Sequence, residues 1–170
     1  MKKVILLIIS LIFLSGCSNV YNLENFVIPN DTGFNACIKQ LETPKIAANY
    51  MKKNFTPERH RFYTPNPHTL WIEEKGDCND LATFGMYAAN YHGYEVWRVD
   101  IWYNDGNGHS IAVYDEGLLS FTDNSNYSYG WNCINDIVKV HYMQSKYLYY
   151  KVYDYNNNLI EEVNNERANN

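Results

Sequence analysis

Long hydrophobic runs are almost missing from this sequence, and the single exception is too short to cross a membrane. Val4 to Leu14 is apolar apart from Ser10, but at about eleven residues it falls short of the roughly twenty that a helix rising 1.5 Å per residue needs to span a bilayer. Clusters of positive charge are missing too. Outside the first three residues only Lys52 and Lys53 adjoin each other, and phosphate backbones are bound by grouped Lys and Arg, so a nucleic-acid partner is excluded. No internal repeat is present. Cysteine is sparse, at four in 170 residues. No second Cys or His lies two to four residues from Cys78, which argues against a structural metal there.

What is present begins with a leader. Lys2 and Lys3, the apolar run to Leu14, and the small residues Ser15 and Gly16 before Cys17 have the layout of a signal peptide over residues 1–16. Leu14, Ser15, Gly16 and Cys17 resemble the bacterial lipobox. That resemblance implies removal of the leader and diacylation of Cys17 on sulfur, with palmitate-type chains. Each buried methylene contributes about 0.8 kcal/mol, so several chains hold firmly. The expected location is therefore the extracytoplasmic side of a bacterial envelope, anchored to membrane lipid.

The 154 residues from Cys17 onward suffice for one domain with one core. Lys2 and Lys3 are two of the 14 basic side chains, so this portion carries 12 against 19 acidic, a net charge of −7. Sixteen Tyr, seven Phe and four Trp suit strands and burial. Cys37, Cys78 and Cys133 form an odd set, so at least one stays unpaired within the chain. A Cys37–Cys133 bond would leave Cys78 free; sequence alone does not fix that connectivity.

Turn formers at Pro29, Asn30, Asp31 and Gly33 give residues 17–35 the reading of a lipidated Cys and tether, followed by a domain over 36–162 and a frayed tail over 163–170. Thr43 with Pro44 starts a helix, Thr as cap and Pro at the first position, whose face is Ile46, Ala47, Tyr50 and Met51. Three prolines between Thr56 and Pro67 predict a loop, and a short helical piece runs from about Thr69 to Glu74. Asp77 to His92 is the strongest helix, capped by Asp77 and stopped by Gly93, and apolar nearly all round, hence buried. Strands follow at Tyr94–Tyr103, His109–Tyr114 and Leu118–Thr122, joined by tight turns, so the sheet is antiparallel. After a loop through Trp131, Ile137–Tyr142 and Tyr147–Tyr155 read as further strands, with a turn at Asn156, Asn157 and Asn158. The fold class is α+β, a central helix on an antiparallel sheet. Tyr147, Tyr149, Tyr150, Tyr153 and Tyr155 either line a groove or fill the buried face of their strand.

Three side chains carry chemistry. A thiol attacks carbonyls as thiolate, a form favoured at the positive end of a helix, and Cys78 stands in the first turn of the buried helix. His109 heads the second strand and can take the thiol proton; Asp123 ends the third and can orient the imidazole. The Cys78 N–H, unpaired at the helix start, is an oxyanion donor. Asp77 and Asp80 would oppose a thiolate unless both cap the helix. This chemistry calls for no cofactor. His60, His68, His92 and His141 show no partner pattern and are expected on the surface or in loops.

Gly76, Asp77, Cys78, Asn79 and Asp80 opening a helix, Gly108 to Val113 on a strand, and Thr122, Asp123 and Asn124 closing the next resemble the transglutaminase-like superfamily, nearest its bacterial cysteine-proteinase-like members. The likeness covers about Thr64 to Asn124. It implies a papain-like core with Cys78 as nucleophile, His109 as base and Asp123 as orienting acid. It also implies acyl transfer through a thioester: hydrolysis of a peptide or amide, or cross-linking, on a peptide or protein substrate. Trp71, seven residues before the Cys, is the oxyanion candidate by the same resemblance. Some members have no known catalysis, so a binding module with a silent site is the competing expectation.

Overall fold

Local capping signals decide where the chain turns helical. In the computed structural model, which describes residues 28–59, 66–142 and 147–165, each of the first four helices opens on a side chain that accepts from its free N–H groups. Asp31 caps α1 (Thr32–Gln40), Thr43 caps α2 (Pro44–Asn54), Asn66 caps α3 (Pro67–Glu73) and Asp77 caps α4 (Cys78–Tyr91). Such a cap is worth about 1 kcal/mol. Pro44 and Pro67 stand at the first helical turn, where the missing N–H costs nothing. A fifth helix, α5, runs Ile134–Tyr142.

Two sheets complete the α+β architecture. The small one pairs β1 (Thr56–Pro57) in parallel with β2 (Lys75–Gly76). The large one is antiparallel throughout, with β3 (Val96–Tyr103), β4 (Gly108–Asp115), β5 (Leu119–Asp123), β6 (Asn126–Trp131), β7 (Tyr147–Tyr153) and β8 (Leu159–Asn164) in the order β6-β5-β4-β3-β7-β8. Hairpins build one half of it in chain order; β7 then returns to the free edge of β3.

Strand alternation splits the core in two. Val99, Ile101, Ile111, Val113, Phe121, Tyr150 and Val152 share a cluster with Ile137, Val138 and Tyr142 of α5. Val96, Ala112 and Tyr114 instead meet Ala82, Met86 and Ala89 of α4. The opposite flank of α4, through Leu81, Phe84 and Ala88, packs on Phe34, Ile38, Ala47, Met51 and Leu70 of α1, α2 and α3. Packed between sheet and helices, α4 is the central helix, and most of its residues are buried and apolar. It approaches the sheet so closely at Gly85 that any β-carbon there would collide with the Tyr114 hydroxyl.

Several expectations need correction. Residues 17–35 are not all tether: α1 begins at Thr32, Phe34 is fully buried, and Asp31 is a helix cap rather than a turn residue. Ile137–Tyr142 is helical rather than a strand, with Ile137, Val138 and Tyr142 buried and Val140 exposed. Residues 126–131 form the edge strand β6 where a loop was expected, and β8 continues to Asn164, past the boundary at 162. Ile46 is exposed, so the inner face of α2 is Ala47, Ala48 and Met51. The leader and Cys17 lie outside the described residues.

Candidate active site

The thiol is placed by a clip on the chain just before it. β1 and β2 exchange hydrogen bonds from Thr56 N–H to the Glu74 carbonyl and from Glu58 N–H to the Gly76 carbonyl, both 2.8 Å. Gly76 is buried, and a β-carbon on it would come within 2.7 Å of both Asp80 Cβ and Leu70 Cδ1. Only glycine allows the chain this approach to the helix it is about to enter. One residue later Asp77 caps α4 with a reciprocal box: its Oδ1 accepts from the N–H groups of Asn79 (2.9 Å) and Asp80 (3.3 Å), while Asp80 Oδ2 accepts from the Asp77 N–H (2.9 Å). Both carboxylates are thereby directed at backbone N–H groups. The box leaves the Cys78 N–H over, at the positive end of the helix.

The sheet supplies the other two groups. Asp123 ends β5 and His109 stands second in β4, and the register that sets Ala112 opposite Thr122 makes Asp123 a diagonal neighbour of His109. His109 Nε2 and Asp123 Oδ1 are 2.8 Å apart, with side chains 17% and 33% exposed. The Cys78 side chain is close enough to the His109 ring to act on its pKa. Burial works to lower the pKa of the ring, but the hydrogen bond to Asp123 and then Cys78 outweigh it and raise it from 6.5 to about 10. Burial likewise works to raise that of Asp123, yet the bond from His109, its charge and the Tyr142 hydroxyl hold the carboxyl below its usual range.

Two tyrosines absent from the sequence reading of the site join it. Tyr142, the last residue of α5, donates its hydroxyl to Asp123 Oδ2 at 2.8 Å, and its ring centroid lies 5.7 Å from that of His109. Tyr103, the last residue of β3, has its phenol pushed up to about 12, first by burial and then by the nearby charges of Asp123 and Cys78. The signal for Tyr142 was present: Asp136 early and Lys139 and His141 late in the segment are charges placed as a helix dipole favours.

Trp71, the oxyanion candidate, stands in α3. Its indole packs edge-on against Phe34 at 5.7 Å and tilts against His68 at 6.0 Å. The ring packs in the layer of α1, α2 and α3. Cys37, Cys78 and Cys133 are all free thiols. His68 and His92 are not idle surface groups: His68 Nε2 lies 3.2 Å from Asp31 Oδ2, and His92 Nε2 lies 2.9 Å from the Ile38 carbonyl, so both fasten α1 to its neighbours. His141 packs edge-on against Phe121 and Trp131. His60 lies outside the described residues. Among the described residues, no group of three His, Cys, Asp or Glu is arranged to hold a metal ion.

A thiol at a helix start, near an imidazolium that a carboxylate holds, can form and break an acyl–sulfur bond. Compared with known proteins, the chain matches no family model and no curated relative.

Proposed function

We propose that this chain is a transglutaminase-like cysteine enzyme with a papain-like core, a hydrolase or acyltransferase whose catalytic triad is Cys78, His109 and Asp123. The observation that carries the reading is the 2.8 Å contact of the His109 ring with Asp123, on a ring whose pKa the Cys78 side chain also raises. The order Cys, His, Asp and the glycine-led helix start supply the resemblance that names the family.

The mechanism follows from the groups in place. With the shared proton on His109, the Cys78 sulfur attacks a substrate carbonyl, and a carbon–sulfur bond forms as the carbonyl pair moves onto oxygen. The Cys78 N–H faces that oxyanion. His109 then gives its proton to the departing amine as the carbon–nitrogen bond breaks, leaving a thioester. Water, or a second amine, loses a proton to His109 and attacks the thioester, and the thiolate leaves. Water yields hydrolysis; an amine yields a cross-link. Asp123 keeps its charge throughout and stabilises the imidazolium.

The leader and lipobox-like residues extend the proposal: Cys17 carries lipid, the domain works outside the cytoplasm at a bacterial membrane, and its substrate is an envelope peptide or protein. Iodoacetamide supplies a test that needs no known substrate. At pH 6 Cys78 should alkylate at least about tenfold faster than a free thiol of pKa 8.5, and His109→Ala should remove the advantage. A Cys78 no faster than free cysteine would instead mark a silent, peptide-binding version of the fold. Metabolic labelling with a palmitate analogue, compared between wild type and Cys17→Ala, tests the anchor.

A further inference from the structure

The carboxylate of the proposed triad is held from both sides, and the second holder is not a member of the triad. Asp123 Oδ1 receives His109, with a longer contact from Asn124 Nδ2 at 3.3 Å, while Oδ2 receives Tyr142. Tyr142 is 6% exposed and belongs to the core cluster under the sheet, so its hydroxyl has little freedom to leave. A carboxylate has two oxygens and a free torsion; fixing one oxygen leaves the group able to rotate, and fixing both does not. The tyrosine sits at the very end of α5, and the apolar face of that helix, Ile137 and Val138, is seated against Val99, Ile101, Ile111 and Val113. The position of the hydroxyl is therefore set by the docking of a whole helix.

We propose that Tyr142 is the positioning residue of the site: its hydroxyl holds the Asp123 carboxylate in the plane that His109 needs, which makes α5 a part of the active-site framework. The inference rests on the triad reading. It also has an electrostatic consequence, because donation to Oδ2 favours the charged carboxylate. The charged or titratable groups facing Asp123 are Cys78 from α4, Tyr103 from β3, His109 from β4, and His141 and Tyr142 from α5. Of these, only Tyr142 is altered by Tyr142→Phe, which removes one oxygen and keeps the ring that packs on His109.

The experiment follows alkylation of Cys78 by iodoacetamide, resolved from Cys37 and Cys133 by peptide mass, between pH 4 and pH 8. Wild type, Tyr142→Phe, Asp123→Asn and the double variant are compared. The acid limb of the rate should move up by about one pH unit in Tyr142→Phe, with the rate at pH 8 changed no more than about twofold. In the Asp123→Asn background the same change should have no further effect, since the group it acts through has lost its charge. Near-ultraviolet circular dichroism and the melting midpoint verify that each variant is folded. Should Tyr142→Phe be poorly folded, Tyr142→Leu, smaller than tyrosine and equally without a hydroxyl, supplies the same comparison of acid limbs. An activated wild-type thiol whose acid limb is unmoved by Tyr142→Phe, or a uniform loss at every pH, overturns the positioning role and leaves the triad standing. A wild-type thiol no more reactive than free cysteine overturns both.

Discussion

The His109 ring and the Asp123 carboxylate meet at 2.8 Å although fourteen positions separate them, because one hairpin between β4 and β5 folds those positions back on themselves. The contact makes the site a source of pH-dependent stability. His109 is raised from 6.5 to about 10 in the folded chain, so its contribution is complete below about pH 6.5 and fades as pH rises through about 10. Asp123 is lowered, so its contribution is present above its unfolded value of 3.8 and is lost as pH falls through its lower folded value. Urea midpoints of wild type and His109→Gln should differ most between about pH 4 and pH 6.5 and converge by about pH 10.5. A gap that instead widens from pH 7 to pH 10 would show the ring to be neutral.

The thiol contributes to that protonated ring, after Asp123. Cys78→Ala should therefore lower the His109 pKa below about 10 while leaving it above 6.5, since the Asp123 bond remains. Titration of the ring by nuclear magnetic resonance reads both values. An unchanged pKa in Cys78→Ala would break the proposed contact between sulfur and ring.

The sequence made α4, β3, β4 and β5 legible because each carries its own punctuation. Asp77 caps and Gly93, at φ 85°, releases α4, while glycines 106 and 117 turn the hairpins at φ 80° and 89°. The meeting of His109 and Asp123 was legible for the same reason: both stand near strand ends that local signals mark. Where the reading failed, a local signal had two meanings. Asp31 and Gly33 serve a turn or a helix start equally well, and the deciding fact is that Phe34 and Ile38 find a buried site on α3 and α4. Ile137, Val138 and Val140 favour a strand by type, yet tertiary packing seats Ile137 and Val138 side by side and leaves Val140 in solvent, a helical pattern. Tyr142 was missed with its helix. Trp71 was named by resemblance, and the sequence does not say that its ring packs on Phe34.

The capping box is the cheapest part of the site to test. Asp77→Ala frees the N–H groups of Asn79 and Asp80 and should destabilise the fold by about 0.5–2 kcal/mol in urea unfolding. Asp77→Ser keeps an acceptor and should restore most of the loss. Equal losses in both variants would mean that the carboxylate acts by charge and not as a cap.

The close seating of α4 on the sheet supplies the last test. A β-carbon at Gly85 meets the Tyr114 hydroxyl, which is itself fully buried and 2.8 Å from Thr122 Oγ1. Alanine in a helix interior is normally favoured over glycine by about 1 kcal/mol, so propensity alone predicts a more stable Gly85→Ala. Overpacking in a close-packed core costs about 1–3 kcal/mol, and here it should win. The discriminating variant is the pair Gly85→Ala with Tyr114→Phe: removing the hydroxyl opens the space the new methyl needs. Tyr114→Phe alone strands the Thr122 hydroxyl, at about 1–3 kcal/mol, so the double variant should be less destabilised than the two singles combined. Unfolding midpoints of all four proteins close the cycle. Strict additivity would place α4 farther from the sheet than its glycine requires, and with it the helix start that presents Cys78 to His109.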